Sequence, residues 1–184
     1  MTKSEIRLFI KSQKAKITQE QMIIDANKVA SIIEASYWFK NASHILTYHS
    51  LPDEICTLRH FDWHKSKSLY LPRVNGNTLE ILPYGITNKG AFNIQEPIGN
   101  NIIHPKSIEL IIVPGVAFDY TGTRVGRGKG YYDKLLSNTN ALKIGICYDF
   151  QLIKHAPREL HDIAMDAIIT PNHQIILNKT LPWI

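Results

Sequence analysis

V-P-G-V-A-F-D-Y-T-G-T-R-V-G-R-G-K-G-Y-Y-D, residues 113 to 133, carries an apolar strand into a glycine-rich basic loop and the loop into a short helix. Gly122, Gly126, Gly128 and Gly130 allow positive φ angles and bring backbone amides close to an anion, which a chain with Cβ atoms resists. Arg124, Arg127 and Lys129 add the charge. G-Y-Y-D-K-L-L, residues 130 to 136, then starts a helix whose free N–H groups point back at the same anion. Strand, anion loop and helix in that order predict an α/β fold with the loop at a strand's carboxyl end. A Walker A loop does not fit, because Lys129 is followed by Gly130 and no hydroxyl is available for a metal there. The dinucleotide fingerprint fails as well, since these glycines run G-x-G-x-G. On the glycines alone, an ordinary surface loop is the alternative.

Outward from this stretch the chain alternates helices and strands. An opening helix turns Ile6, Phe9 and Ile10 inward, and Thr18 with Gln21 forms a capping-box pattern that starts a second helix through Tyr37. His44 to His49 reads as a strand, Glu54 to His64 as a helix, and Ser68 to Leu71 and Leu79 to Tyr84 as strands. Ile108 to Val113 is a buried central strand, followed by Lys143 to Tyr148, Asp166 to Thr170 and a Gln174 to Leu177 edge. Asn75 to Lys106 reads as a long covering loop with a short strand pair. The pattern predicts a single-domain, three-layer α/β/α fold over residues 1–184, with a mostly parallel, Rossmann-like central sheet.

The 184 residues, 44% hydrophobic, are enough for one core. Cys56 and Cys147 are far apart and lack metal spacing, so reduced thiols are expected rather than a disulfide or a zinc site. No stretch approaches the roughly 20 apolar residues of a membrane span, and M-T-K-S-E-I-R lacks a signal-peptide core, so a cytoplasmic protein is expected. A net charge of +5 favours acidic ligands without indicating nucleic acid. His60 and His64 form an i, i+4 pair, but the glutamate of H-E-x-x-H is missing.

The whole 113–133 stretch resembles the signature of the 5-formyltetrahydrofolate cyclo-ligase (5,10-methenyltetrahydrofolate synthetase) family, P-G-x-x-F-D-x-x-G-x-R-x-G-x-G-x-G-Y-Y-D, from Pro114 and Gly115 through Phe118 and Asp119 to Asp133. Shorter segments agree in order and spacing: K-x-x-x-R at 3–7, D-E-I-x-T at 53–57, L-P-R at 71–73, I-x-E-P at 94–97 and D-x-x-x-D at 162–166. The resemblance implies ATP- and Mg²⁺-dependent cyclisation of 5-formyltetrahydrofolate to 5,10-methenyltetrahydrofolate, with release of ADP and phosphate. A formamide oxygen is a poor leaving group, so N10 cannot displace it unaided. Phosphorylation of that oxygen activates the carbon, N10 closes the ring, and phosphate departs. The protein's task is to align the formyl oxygen with the γ-phosphate, neutralise the spreading charge and exclude water.

The same resemblance implies the residue roles. Arg124, Gly126, Arg127, Gly128, Lys129, Gly130, Tyr131 and Tyr132 would wrap the ATP phosphates, with Arg127, Lys129 and Tyr131 at the reaction and the 127–131 segment also touching the folate. Lys3 and Arg7, four apart on one helix, would grip the same polyanion; a solvated basic face is the alternative. Asp133 would hold Mg²⁺, with Asp162 as its distant partner and Asp166 as a rival; helix-dipole compensation is the other reading of Asp133. Glu54 would accept hydrogen bonds from the amino-pyrimidine edge of the pterin, or else serve as a helix N-terminal acid after Pro52, and His49 would line the same pocket. Tyr131, Tyr132, Phe92 and Phe118 would stack on flat rings or fill core. Cys56 stands where many members carry a polar or acidic residue, which bears on folate preference.

Three other readings differ at identifiable points. A folate-binding protein without turnover would not need the loop, its basic residues and both candidate metal acids intact. An RNA-binding protein would carry an RRM or KH signature. A kinase for another small molecule would share the loop but not the D-E-I and I-x-E-P segments. Small-molecule substrates, a monomer, and no nucleic-acid or membrane partner are expected.

Overall fold

Ile45, Leu110, Ile112, Ile144, Ile146, Ala167 and Ile169 are buried in one cluster, while Leu46, Ile111, Val113 and Ile168, their neighbours along the chain, are buried in another. Alternation of this kind puts the two sets on opposite faces of one sheet covered on both sides. The computed structural model describes residues 1–58, 62–90 and 93–178. In chain order the strands are β1 (His44–Leu46), β2 (Ser68–Asn75), β3 (Thr78–Pro83), β4 (Thr87–Lys89), β5 (Gln95–Pro97), β6 (Leu110–Pro114), β7 (Ala117–Asp119), β8 (Arg124–Val125), β9 (Leu142–Ile146), β10 (Leu152–Ile153), β11 (Ala167–Ile169) and β12 (Gln174–Ile176). The helices are α1 (Lys3–Lys14), α2 (Gln19–Ala35), α3 (Tyr37–Asn41) and α4 (Tyr131–Leu136).

Among the described residues the main sheet has seven strands in the order β12-β11-β9-β6-β1-β2-β3. β11, β9, β6, β1 and β2 pair in parallel, and the edge strands β12 and β3 run antiparallel. Taken in chain sequence, the parallel strands lie in the order 2-1-3-4-5, one of the doubly wound arrangements. The expected mostly parallel α/β sheet is therefore present.

One face is covered by α2 and α3 through Val29, Ile33, Trp38 and Phe39. The other is covered by Leu135 and Leu136 of α4 together with Phe118 of β7. α1 sits apart from the main sheet. Its Ile6 and Ile10, both fully buried, pack on Ala117, Val125 and Ile153 of a small sheet ordered β10-β7-β8. Burying two such side chains contributes roughly 1.5–3 kcal/mol each, and a capping box between Thr2 and Glu5 fixes where the helix starts.

Several local expectations need correction. Phe9 is exposed, because the apolar stripe of α1 is only wide enough for Ile6 and Ile10. The second helix stops at Ala35: Ser36 is extended, donates to Ile33 O and accepts from Phe39 N, ending α2 and starting α3. Thr18 does cap α2, but the Gln21 side chain turns forward to Asp25 instead of closing a capping box. The helix expected at Glu54–His64 is absent over residues 54–58, while 59–61, with His60, lie outside the described residues and Asp62–Lys65 is a 3-10 turn. Tyr48 donates to Ile55 O and Thr57 donates to Tyr48 O, so side chains hold 54–58 as a loop against the strand end. Phe92 also lies outside the described residues.

Candidate active site

β1 and β6 are parallel neighbours, yet the chain leaves β1 toward β2 on one side and β6 toward β9 on the other. Segments leaving such a pair diverge and open a crevice at the strands' carboxyl ends. Here they are residues 47–58, with His49 and Glu54, and residues 115–130, with the glycine loop.

The first segment and α2 enclose a cavity of about 380 Å³. Met22, Ile23 and Ala26 of α2, His49, Glu54 and Cys56 line it, and Tyr148 enters from the end of β9. An apolar chamber with a few polar groups at one side is the usual form of a small-molecule pocket. Glu54 Oε2 accepts from Leu51 N at 3.0 Å, which orients the carboxylate and leaves Oε1 for another partner. The sequence placed His49 and Glu54 together; it gave no sign of the α2 wall or of Tyr148. A shallower depression of about 550 Å³ outside α2, at Ile24, Lys28 and Ile32, contains none of the signature residues.

The signature stretch is not one strand and one loop: β7 and β8 form a hairpin between β6 and the glycine loop. Asp119, fully buried, organises it. Its Oδ1 accepts from Thr121 N, Thr121 Oγ1 and Thr123 N, and its Oδ2 accepts from Ala156 N. Burial works to raise the carboxyl, but the Thr121 hydroxyl and these amides hold it below the usual carboxylate range. Phe118 is core rather than a stacking surface. A Cβ placed on Gly145 would come within 2.5 Å of its ring, and one on Gly115 within 2.6 Å. Phe118, Asp119 and Gly115 thus build the platform from which the loop springs.

Arg124 lies under that loop, 7% exposed, with Nη2 donating to Asp133 Oδ1 at 3.0 Å and its guanidinium 5.4 Å from the Tyr132 ring. Its Nε is buried without a hydrogen-bond partner. Gly126 is needed for close approach and not for positive φ, since a Cβ there would be 2.7 Å from Arg124 Nη1. Gly128 does take the left-handed conformation, φ +100°. Lys129 is exposed and makes no hydrogen bond or ion pair with the described residues. Gly130 caps α4 in a left-handed conformation, with no side chain capping the helix. Burial, with the Glu54 charge nearby, pushes the Tyr132 phenol up, so it stays neutral. The Tyr131 hydroxyl reaches Gly76 O at 3.4 Å, in the β2–β3 turn.

Lys3 and Arg7 do lie on one face of α1, and both reach the site. Arg7 Nε donates to Gly126 O at 2.8 Å, while Lys3 Nζ is 2.7 Å from Asp162 Oδ2 and 3.0 Å from Glu159 Oε1. Lys14, seven residues beyond Arg7 and on the same stripe, was not singled out from the sequence; it pairs with Asp53 at 2.9 Å. Arg127 reaches across to the segment that follows β1, its Nη2 3.0 Å from Glu54 Oε1 and 3.2 Å from Asp53 Oδ1.

Among the described residues no three His, Cys, Asp or Glu side chains stand together as a metal centre. Asp133 faces Arg124, and Asp162 faces Lys3 and accepts from Glu159 N. Burial works to raise the Asp162 carboxyl, while Lys3 holds it below the usual range. Asp166 is at the opposite, amino end of β11, bonded to Lys143 and Asn178, where it ties the start of β9 to the segment that follows β12.

The family model described as "5-formyltetrahydrofolate cyclo-ligase family" matches residues 1–171. A probable 5-formyltetrahydrofolate cyclo-ligase of Schizosaccharomyces pombe is 28% identical, over 95% of this chain and 98% of its own. The 5-formyltetrahydrofolate cyclo-ligase of Haemophilus influenzae is 31% identical, over 71% of this chain and 76% of its own. The solved structure of Aquifex aeolicus 5,10-methenyltetrahydrofolate synthetase superposes with a TM-score of 0.87 at 33% identity, covering 97% of this chain and 94% of that one.

Proposed function

This chain belongs to the 5-formyltetrahydrofolate cyclo-ligase family, and from that premise we propose that it closes 5-formyltetrahydrofolate to 5,10-methenyltetrahydrofolate at the expense of ATP. The observation that carries the reading is the junction at the crevice: the cavity beside Glu54 meets the glycine loop at Arg127, so a ligand in one reaches a ligand at the other. A pterin in the cavity takes Glu54 Oε1 by its amino-pyrimidine edge, with His49 and Tyr148 on the walls.

The polyphosphate lies over Gly126–Gly130, where the absence of Cβ atoms and the buried, unpartnered Arg124 Nε suit an anion. Arg7 braces the loop through Gly126 O, and Lys3 extends the same basic stripe. Arg127 and Lys129 neutralise the transferring phosphoryl group as it passes to the formyl oxygen; Lys129 is uncommitted and Arg127 is held by exposed contacts. N10 then attacks the activated carbon, the ring closes and phosphate leaves. Tyr131 and Tyr132 bound the loop's helix end, and Tyr131 is assigned to the site by its position beside Gly130.

A Mg²⁺ ion commonly binds one or two carboxylates plus substrate phosphates, and would be held that way here. It supplies charge neutralisation at the phosphates. Asp133, next to the loop and facing Arg124, and Asp162, facing Lys3, are the carboxylates that would hold it. A single domain, a monomer, a cytoplasmic location and no nucleic-acid or membrane partner complete the reading. Among the described residues no helix is long and apolar enough to cross a membrane. The test is a spectroscopic assay with 5-formyltetrahydrofolate, ATP and Mg²⁺: the near-ultraviolet band of the methenyl product must appear, and must fail to appear when ATP is left out.

A further inference from the structure

Lys14, Asp53, Arg127 and Glu54 form a line of alternating charge from the end of α1 to the rim of the cavity. Lys14 Nζ is 2.9 Å from Asp53 Oδ2, Asp53 Oδ1 is 3.2 Å from Arg127 Nη2, and that same Nη2 is 3.0 Å from Glu54 Oε1. The two cations differ in burial: the Lys14 side chain is 9% exposed and that of Arg127 is 51% exposed, while Glu54 at the far end is 11% exposed. A buried ammonium that loses its partner is strongly destabilising, so Asp53 is committed to Lys14. Arg127 is half-exposed and can leave, and a pterin that donates to Glu54 keeps that more buried carboxylate paired, so the Arg127–Glu54 contact is the one that ligands displace.

Oε2 of Glu54 already accepts from Leu51 N, so a pterin edge that donates to the carboxylate meets Arg127 at Oε1 and competes with it for that oxygen. When the pterin claims Oε1, Arg127 retains Asp53 alone. We propose that Lys14 and Asp53 are positioning residues: Lys14 fixes Asp53, and Asp53 Oδ1 is the point about which Arg127 turns from Glu54 toward the transferring phosphoryl group. The inference rests on the proposed reading of Glu54 and Arg127. Folate arrival then releases Arg127 near the nucleotide instead of into solvent, so the pair acts on the chemical step more than on folate binding.

Steady-state kinetics on Lys14→Met, Lys14→Arg and the double variant Lys14→Met/Asp53→Asn test it, with melting curves to establish that each variant is folded. Lys14→Met should lower kcat about tenfold with the folate KM within about twofold, and Lys14→Arg should recover most of the loss. A folded Lys14→Met with wild-type kcat, a loss confined to KM, or a loss that Lys14→Arg does not recover would overturn the assignment. If Lys14→Met does not fold, the double variant Lys14→Met/Asp53→Asn, which leaves no unpaired buried charge, carries the same kcat test. Wild-type turnover is the control. Its absence would remove the proposed function and this inference together, whereas wild-type turnover with unaffected variants removes the inference alone.

Discussion

Arg127 Nη2 donates to Glu54 Oε1 at 3.0 Å, joining the glycine loop that follows β8 to the segment that follows β1. The phosphate-binding and pterin-binding candidates therefore touch each other before any ligand arrives. Burial opposes a charge on Arg127, but Glu54 and then Asp53 raise its guanidinium further above its usual range, so it stays cationic.

Glu54→Gln should raise the folate KM while leaving ATP affinity unchanged. The amide presents a donor to the pterin's own donors, which costs roughly 1–3 kcal/mol in a dry pocket, and Asp53 still holds Arg127. Calorimetric titration of each ligand checks it. ATP binding weakened as much as folate binding would reassign Glu54 to shaping the shared cleft.

Arg127→Ala and Lys129→Ala should lower kcat more than they raise the folate KM, because charge on the phosphoryl group is greatest in the transition state. Each loss should be on the order of 2–4 kcal/mol, as for an oxyanion donor. Both side chains are exposed, so melting should barely change. Variants that keep wild-type turnover would exclude these residues from the reaction.

The fold was legible wherever periodicity reflects burial on the sheet, and illegible wherever side chains tie loops together. Ile108–Val113 and Lys143–Tyr148 announce buried parallel strands, and the structure has β6 and β9 there, displaced by a residue or two. Glu54–Leu58 has helical spacing but is captured by Tyr48 and Thr57, bonds that depend on tertiary contact. The signature located the loop, yet its middle is a hairpin, because the role of Asp119 depends on Ala156, far along the chain. Lys14 carried no motif. Spacing puts Lys3, Arg7 and Lys14 on one stripe of α1, but only the direction of the helix across the site shows that the stripe meets Asp162, Gly126 and Asp53.

Gly145→Ala should destabilise the chain by about 1–3 kcal/mol, the usual cost of overpacking a filled core. The new methyl would come within 2.5 Å of the Phe118 ring, which Gly115 confines from a second direction. Pairing it with Phe118→Leu should recover part of the loss in chemical denaturation. An unchanged midpoint for the single variant would mean that the ring is free to shift.

Acid should unfold the chain through its depressed carboxylates. Burial raises Asp119 and Asp149, but the hydroxyls of Thr121 and Thr170 and the other donors around them outweigh it, so both lie below their ordinary value of 3.8. A depressed folded-state value contributes stability that is fully present above the unfolded-state value and is lost as pH falls through the folded one. Denaturation midpoints should therefore hold from neutrality down to the ordinary carboxylate range and drop below it, and Asp119→Asn should flatten that drop. A variant with the wild-type acid profile would exclude Asp119 as a source of it.

The central claim is that ATP activates the formyl oxygen itself, and the fate of that oxygen tests it most directly. With 5-formyltetrahydrofolate carrying a heavy-oxygen label in its formyl group, turnover by this chain with ATP and Mg²⁺ should place the label in the released phosphate, one labelled oxygen per ring closed. Methenyl product accompanied by unlabelled phosphate, with the label in water, would contradict the account.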